Sequence, residues 1–75
     1  MYVMKLPRVS GFDVVKVLAQ LGYSINRWRG SHIILQNEKG AIISVPNHKE
    51  LDKGTLRALI RAAGMEVEDF VRRLK

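Results

Sequence analysis

Residues 23–45 have the sequence YSINRWRGSHIILQNEKGAIISV, and this stretch decides the fold class. In its first part, Tyr23, Ile25 and Arg27 alternate with the residues between them, as in a β-strand. Arg29-Gly30 separates this part from a first apolar run, and the turn-forming residues 37–40 separate that run from a second. The pattern predicts three β-strands, over residues 23–28, 31–36 and 41–45. Because their links are short, the strands are expected to form an antiparallel meander. Strict alternation in the first strand would place Tyr23, Ile25 and Arg27 on one face.

Helical patterns lie on both sides of the strands. Ser10 suits an N-cap, apolar residues recur at helical spacing, and Gly22 suits a helix end, which predicts a first helix over residues 11–21. A second helix, capped by Asp52, is predicted to end near Ala63, and a short third helix falls within residues 65–75. This order predicts an α+β fold with helices on one face of the antiparallel sheet. Double-stranded-RNA-binding domains share it, but a likeness of fold implies no function.

Length and composition narrow the function classes. The 75 residues suit one domain over 1–75, with little room for a deep cavity or a large cofactor. Thirteen Lys and Arg against seven Asp and Glu give a net charge of +6, typical of phosphate-binding proteins and equally of proteins that are merely basic. Cysteine is absent, which excludes disulfides and cysteine-ligated zinc. Without a secretory or bilayer-spanning apolar run, we expect a cytoplasmic protein with no membrane partner.

The segment from Arg27 to His32, RWRGSH, combines side chains that suit RNA chemistry. Arg27 and Arg29 suit phosphate binding, with Ser31 as a further contact, and Trp28 suits base stacking. His32 suits proton transfer, because histidine titrates near neutral pH. An RNA strand cleaved by its own 2′-hydroxyl needs a base, an acid and positive charge, but no metal. The alternatives are a structural histidine, arginines that only protect a strand edge, and a tryptophan in the core, which composition favours.

Two further features lie outside this segment. Lys53, Arg57 and Arg61 recur every four residues and are predicted to form a stripe along the second helix. Residues 53–65 contain no acid, which favours phosphate binding over an ordinary solvated face. His48, in the loop after the third strand, is either a second acid or base or a loop hydrogen-bonding residue. No spacing of histidines and acids suggests a metal site.

A set of short motifs occurs in order along almost the whole chain. They are Leu6-Pro7 and Ser10-Gly11 before the first helix, Leu21-Gly22-Tyr23 at its end, Gly30-Ser31-His32, Val45-Pro46-Asn47-His48, Lys53-Gly54-Thr55-Leu56, and Ala63-Gly64-Met65 before a terminal segment with Phe70. Each motif alone is weak, whereas the ordered set resembles the HicA (YcfA-like) toxin family.

The resemblance implies a fold, an activity and a partner. The fold is α-β-β-β-α, like a double-stranded-RNA-binding domain, and the activity is cleavage of mRNA without a metal or organic cofactor. The histidine of the Gly-Ser-His motif is the catalytic residue, which is His32 here. A HicB-type antitoxin is expected to bind the toxin and block its active surface. This chain departs from the family in a tighter loop between His48 and Lys53 and in Ile33-Ile34-Leu35, which follow His32 where an aromatic residue is often found.

The sequence thus predicts an endoribonuclease toxin of a type II toxin–antitoxin pair. His32 is the predicted catalytic residue and His48 an assisting one. The predicted RNA contacts are Arg27, Trp28, Arg29, Ser31, Lys53, Arg57 and Arg61. A non-catalytic RNA-binding module of the same fold is the main alternative, and a purely protein-binding domain is another. Homo-oligomerisation stays open.

Overall fold

The computed structural model describes residues 6–74, and its elements follow the predicted order. They are helix α1 at Gly11–Gln20, strands β1 at Ser24–Arg29, β2 at His32–Gln36 and β3 at Ile42–Pro46, and helices α2 at Lys53–Ala62 and α3 at Val67–Arg73. The boundaries of the first two helices and the three strands lie within a residue of those predicted. Lys75, at the end of the segment predicted to hold the third helix, lies outside the described residues.

The strands form one antiparallel sheet in the order β1-β2-β3, so the predicted meander is confirmed. Residues directly opposite each other in an antiparallel ladder place their side chains on the same face. One face therefore carries two rows across the sheet, Ile25–Leu35–Ile43 and Trp28–Ile33–Val45. The members of these rows on β2 and β3 are buried, and this is the face that the helices cover.

The predicted alternation along β1 is wrong after Ile25, because the strand contains a β-bulge. The pairing shifts by one residue between Ile25 and Arg27, so Asn26 has no partner of its own on β2. An extra residue in one strand reverses the faces of the residues that follow it. Trp28 therefore shares the helix-side face with Ile25, and Arg27 lies on the opposite face.

Helix α1 begins after Ser10, as predicted, with a reciprocal cap. The Asp13 backbone N–H donates to Ser10 Oγ at 3.1 Å, and the Ser10 N–H donates to Asp13 Oδ2 at 2.9 Å. A cap of this kind typically stabilises a protein by about 1 kcal/mol. The first helical residue has to be Gly11, because a Cβ there would collide with the carbonyl oxygen of Pro46. The start of α1 is thus packed directly on the end of β3.

The three helices and the sheet enclose an apolar core, mostly of aliphatic side chains. Leu18 of α1, Leu56 of α2 and Phe70 of α3 are each exposed by 1% or less. Helix α3 packs against both α1 and α2, and the Gln20 side-chain amide donates to the carbonyl oxygen of Arg73 at 2.8 Å. The predicted α+β fold, with helices on one face of a three-stranded antiparallel sheet, is confirmed.

Trp28 is not part of this core, so the core alternative for it is wrong. Its side chain is 50% exposed, and its ring contacts that of Phe12 with the ring centroids 5.8 Å apart. The reason is its position on β1, an edge strand in which all six residues are exposed. Edge position has overridden the general preference of tryptophan for burial.

Candidate active site on the open face of the sheet

The face of the sheet opposite the helices, called the open face below, carries most of the candidate residues. Its three rows across the strands are Arg29–His32–Pro46, Arg27–Ile34–Ser44 and Ser24–Gln36–Ile42. None of these strand residues is fully buried, and none carries a negative charge. The rows bring one histidine, two arginines and two serine hydroxyls onto a single exposed surface without a neighbouring acid from the sheet.

His32 is the first residue of β2 and lies at the centre of its row. It is exposed, with Arg29 directly opposite on β1 and Pro46 directly opposite on β3. Cβ atoms of such cross-strand partners lie roughly 5 Å apart. Because this is the middle strand, His32 has a neighbour on both sides, which restricts its side chain to the region above the open face.

The link between β1 and β2 places Arg29 beside His32. Only Gly30 and Ser31 lie between these paired residues, and Gly30 has a φ of 60°. Positive φ at the first central residue alone is the property of a type II′ turn, which favours glycine at that position. Glycine thus permits the tight turn that makes the arginine and the histidine cross-strand neighbours.

The bulge at Asn26 determines where Arg27 lies. Without it Arg27 would share the helix-side face with Ile25, whereas the shifted pairing puts Arg27 on the open face with His32. The Asn26 side-chain amide donates to Gln36 Oε1 at 2.6 Å, which ties the bulge to β2. Within residues 6–74 the ion pairs are Arg8–Glu50 and those of Asp69 with Arg72 and Arg73, so both open-face arginines are available to an external anion.

The loop after β3 brings His48 to the same end of the sheet as His32. The Asn47 N–H donates to the carbonyl oxygen of Ser31 at 2.7 Å, and the Gly11 N–H donates to that of His48 at 2.9 Å. These bonds fix the loop between the β1–β2 turn and the start of α1. His48 is exposed, two residues beyond the cross-strand partner of His32.

The basic stripe of α2, formed by Lys53, Arg57 and Arg61, lies apart from His32. Successive residues of a helix are separated by about 100° around its axis. The flank with Thr55, Ala58 and Ala62 faces β3 and His32, whereas Arg57 and Arg61 border a hollow by the α2–α3 connection. The stripe is exposed as predicted, but the body of α2 separates it from the open face.

Trp28 also lies apart from His32. Its side chain belongs to the helix-side face of β1, whereas Arg29 and His32 belong to the open face. The six-residue segment RWRGSH therefore divides into two surfaces. Arg27, Arg29 and His32 share one of them, and Trp28 lies with Phe12 on the other.

Sequence reasoning missed Ser44 and Pro46 as neighbours of the histidine. Ser44 lies directly opposite Ile34 and shares a row with Arg27, and Pro46 is paired with His32 itself. Pairing register determines both neighbours, and only an assumed hairpin register between β2 and β3 would have suggested them. No comparable signal in the sequence marks the bulge at Asn26.

Asp52 is the N-cap residue of α2, as predicted, but its side chain makes no capping hydrogen bond. The hydroxyl of Thr55 is the main cause that holds the pKa of the Asp52 carboxyl below its ordinary value of 3.8; desolvation opposes it, and weaker interactions with nearby backbone N–H groups lower the pKa further. The carboxyl is therefore ionised at neutral pH, and it adjoins Lys53 at the start of the stripe.

Residues 6–74 contain neither a cluster of metal-binding side chains nor a membrane-spanning helix. No three His, Asp or Glu side chains in this part of the chain lie close enough to share a metal ion. Over the same residues, no helix combines the length and apolar character needed to cross a bilayer.

Comparison with known proteins supplies the family. The chain matches none of the curated proteins with which it was compared. The family model described as the HicA toxin of bacterial toxin–antitoxin systems matches residues 11–65, well over half of the chain. The matched region runs from the first residue of α1 to the segment after α2, and it includes the whole sheet and both histidines. The chain therefore belongs to the HicA family of bacterial toxins that act within toxin–antitoxin systems.

Proposed function

We propose that this toxin is a metal-independent endoribonuclease that cleaves mRNA, with His32 as its catalytic residue. The observation that carries the proposal is the row on the open face in which exposed His32 lies directly opposite Arg29. A proton-transfer group beside an arginine without an ion-pair partner in residues 6–74 is what a phosphodiester needs for attack by a neighbouring hydroxyl.

The reaction uses a nucleophile that the substrate itself contains. His32 removes the proton of a ribose 2′-hydroxyl, whose oxygen attacks the adjacent phosphorus while the bond from phosphorus to the 5′-oxygen breaks. A proton returns to the 5′-oxygen, which leaves as a hydroxyl, and the other product ends in a 2′,3′-cyclic phosphate. Because His48 lies at the same end of the sheet, it is the residue best placed to assist as the acid.

Positive charge on the open face supports this chemistry. Negative charge accumulates on the phosphate oxygens as the 2′-oxygen attacks, and arginine stabilises it with paired, charge-assisted hydrogen bonds. Arg29 is directly opposite His32, and Arg27 lies on the same face, in the row of Ser44. We propose that these two arginines bind the reacting phosphate. Ser31, in the adjoining turn, would contact the RNA next to that phosphate.

The other predicted RNA-binding residues would contact the RNA at a distance from His32. Lys53, Arg57 and Arg61 lie on the far flank of α2, where they are suited to phosphates of a strand that continues around the molecule. Trp28 is half-exposed at the edge of β1, where a base can stack on it. An antitoxin of HicB type would inhibit by covering the open face, since both arginines and the histidine are exposed there.

A non-catalytic RNA-binding module is the second candidate. The separation of the α2 stripe from His32 favours it, because a basic surface that is independent of the histidine provides affinity without cleavage. Binding of this kind falls steeply with salt, since each neutralised phosphate releases counterions. It predicts a strong salt dependence of RNA binding together with intact RNA.

The test is incubation of a labelled single-stranded mRNA with the protein in EDTA. Wild type should cleave, whereas His32→Ala and His32→Gln should lose at least about 100-fold in rate while they still bind RNA, because neither side chain exchanges a proton near neutral pH. His48→Ala should lose less. Unchanged melting temperatures show that the variants are folded.

The remaining outcomes separate the two candidates. Cleavage by both wild type and the His32 variants would remove His32 from the mechanism. Intact RNA with all the proteins, together with retained and salt-sensitive binding, would establish the binding module instead. Cleavage that requires a divalent metal would contradict the proposed chemistry.

A further inference from the structure

A groove beside His32 remains unexplained by the proposed cleavage chemistry. It lies between β3 and α2 and has a volume of about 470 Å³, within the range of sites that bind small organic groups. The residues of its walls include Ile42, Ser44 and Pro46 from β3 and Thr55, Ala58 and Ala62 from α2. His32, paired with Pro46, lies at one end, and Ile42 lies at the other, roughly 13 Å along the strand.

The walls of the groove are apolar or uncharged. Ile42 is 62% exposed, the most exposed of the large apolar side chains in residues 6–74. Ala58 and Ala62 are the exposed residues that α2 contributes, and their small side chains leave the space open. Ser44 and Thr55 add hydroxyl groups, and no lysine, arginine or acid lines the groove. A surface of this kind suits an uncharged, largely flat group with a few hydrogen-bonding atoms at its edge.

We propose that this groove binds a nucleobase of the RNA strand, next to the phosphate held at His32. The inference rests on the proposed function, and it adds a base-binding subsite to the phosphate site. The division of charge carries it: arginines occupy the rows of the open face on the β1 side of His32, whereas the β3 side has none. A nucleotide has the same division, an anionic phosphate joined to an uncharged base.

Two other occupants fit the groove less well. A second phosphate would need a cation, and the lining residues supply none. An extended peptide would have to pair with the outer edge of β3, which is short and ends in Pro46, a residue with no backbone N–H to offer. Continuity with His32 also favours the nucleotide, because a strand whose phosphate is held there must place a neighbouring base on one side of it.

The test is a substitution that fills the groove, followed by measurement of how much each base of a short RNA contributes to binding. Ala58→Leu adds a bulky side chain on the groove flank of α2, and leucine is compatible with a helix. Ala19→Leu is the matched control, since it makes the same change at an exposed position of α1. Both are combined with His32→Ala, so that binding is measured without cleavage, against short RNAs in which a single abasic site is moved along the strand.

The expected result is a loss that depends on position. With His32→Ala alone, one abasic position should weaken binding by about fivefold or more, as loss of one base contact does. With Ala58→Leu added, all RNAs should bind weakly and the dependence on that position should disappear. With Ala19→Leu added, the dependence should remain. In the active protein, Ala58→Leu should raise KM and weaken nucleotide preference beside the cleaved bond.

Other results would overturn the proposal, and they distinguish it from the proposed function. If wild type cleaves RNA and the abasic profile is the same with and without Ala58→Leu, the groove binds no base, although the nuclease proposal stands. If Ala58→Leu leaves RNA binding unchanged but abolishes binding of the antitoxin, the groove is a protein site. If wild type neither binds nor cleaves RNA, both proposals are wrong.

Discussion

Neighbouring residues on one strand serve opposite purposes on the two faces of the sheet. On β2, Ile33 and Leu35 have no measurable exposure and lie under the helices, whereas His32 is exposed on the open face. The covered face is aliphatic on β2 and β3, and the open face mixes two arginines, a histidine, hydroxyls and an exposed isoleucine. Alternate side chains of a strand point in opposite directions. Residues that stabilise the core and residues of the candidate site are therefore adjacent in the sequence but contact different surroundings.

Because of this division, substitutions on the open face should change activity with little effect on the free energy of unfolding. The free energy of burial is concentrated on the helix side, where removal of a methyl group leaves a cavity. Exposed residues away from special backbone positions change stability by about 0.5 kcal/mol or less. Three predictions test the comparison, in decreasing order of expected effect.

The largest effect is expected on the covered face. Leu35→Ala should lower the free energy of unfolding by about 2–5 kcal/mol, because it opens a cavity beneath the helices. Ile42→Ala, on the open face, should lower it by about 0.5 kcal/mol or less. Urea denaturation of both variants measures the difference. Similar losses in the two would mean that the open face is covered in solution.

An intermediate effect is expected from the arginine beside the histidine. Arg29→Gln should reduce the cleavage rate about 10- to 100-fold, the value of a lost charge-assisted hydrogen bond, with little change in stability. Arg57→Gln, on the far flank of α2, should instead weaken binding and lower the salt dependence by about one counterion.

The control for these variants is Lys16→Gln, which removes one positive charge from an exposed position of α1. It should reduce the cleavage rate of bound RNA less than Arg29→Gln does, and it should change the salt dependence of RNA binding less than Arg57→Gln does. If Arg57→Gln reduced the cleavage rate as strongly as Arg29→Gln, the two basic surfaces would be acting together, contrary to their separation in the fold.

The smallest effect is expected at Trp28, which is intermediate between a buried residue of the covered face and an exposed residue of the open face. It belongs to the helix-side face but is half-exposed, with Phe12 as its aromatic neighbour. Trp28→Ala should cost about 1 kcal/mol, the value of an aromatic pair, and not the roughly 3–5 kcal/mol of a buried aromatic residue. Thermal unfolding of Trp28→Ala, Phe12→Leu and the double variant measures the coupling between the rings. A cost above about 3 kcal/mol for Trp28→Ala would return this tryptophan to the core.

The fold was predictable because its signals are local. Ser10 and Asp13 define the start of α1, the apolar spacing defines the helices, and the turn residues separate the strands. The bulge at Asn26 was not predictable, since an inserted residue leaves the composition of the strand unchanged and depends on pairing with β2. The sequence also left Trp28 open between an exposed RNA contact and a core residue, because burial on an edge strand depends on how far the helices extend over it.

The candidate site divides in the same way. The sequence alone was enough to predict the class of fold, the basic character of the chain, and Arg29 and His32 as candidate site residues. The structure was needed to show that Arg29 lies directly opposite His32 and that Arg27 shares the open face with them. It was also needed to place Trp28 and the α2 stripe elsewhere and to reveal the groove between β3 and α2 beside the histidine. The physical reason is that spacing along the chain governs the turn and the periodicity of each element. Strand register and helix packing, which depend on contacts between distant residues, govern which surfaces meet.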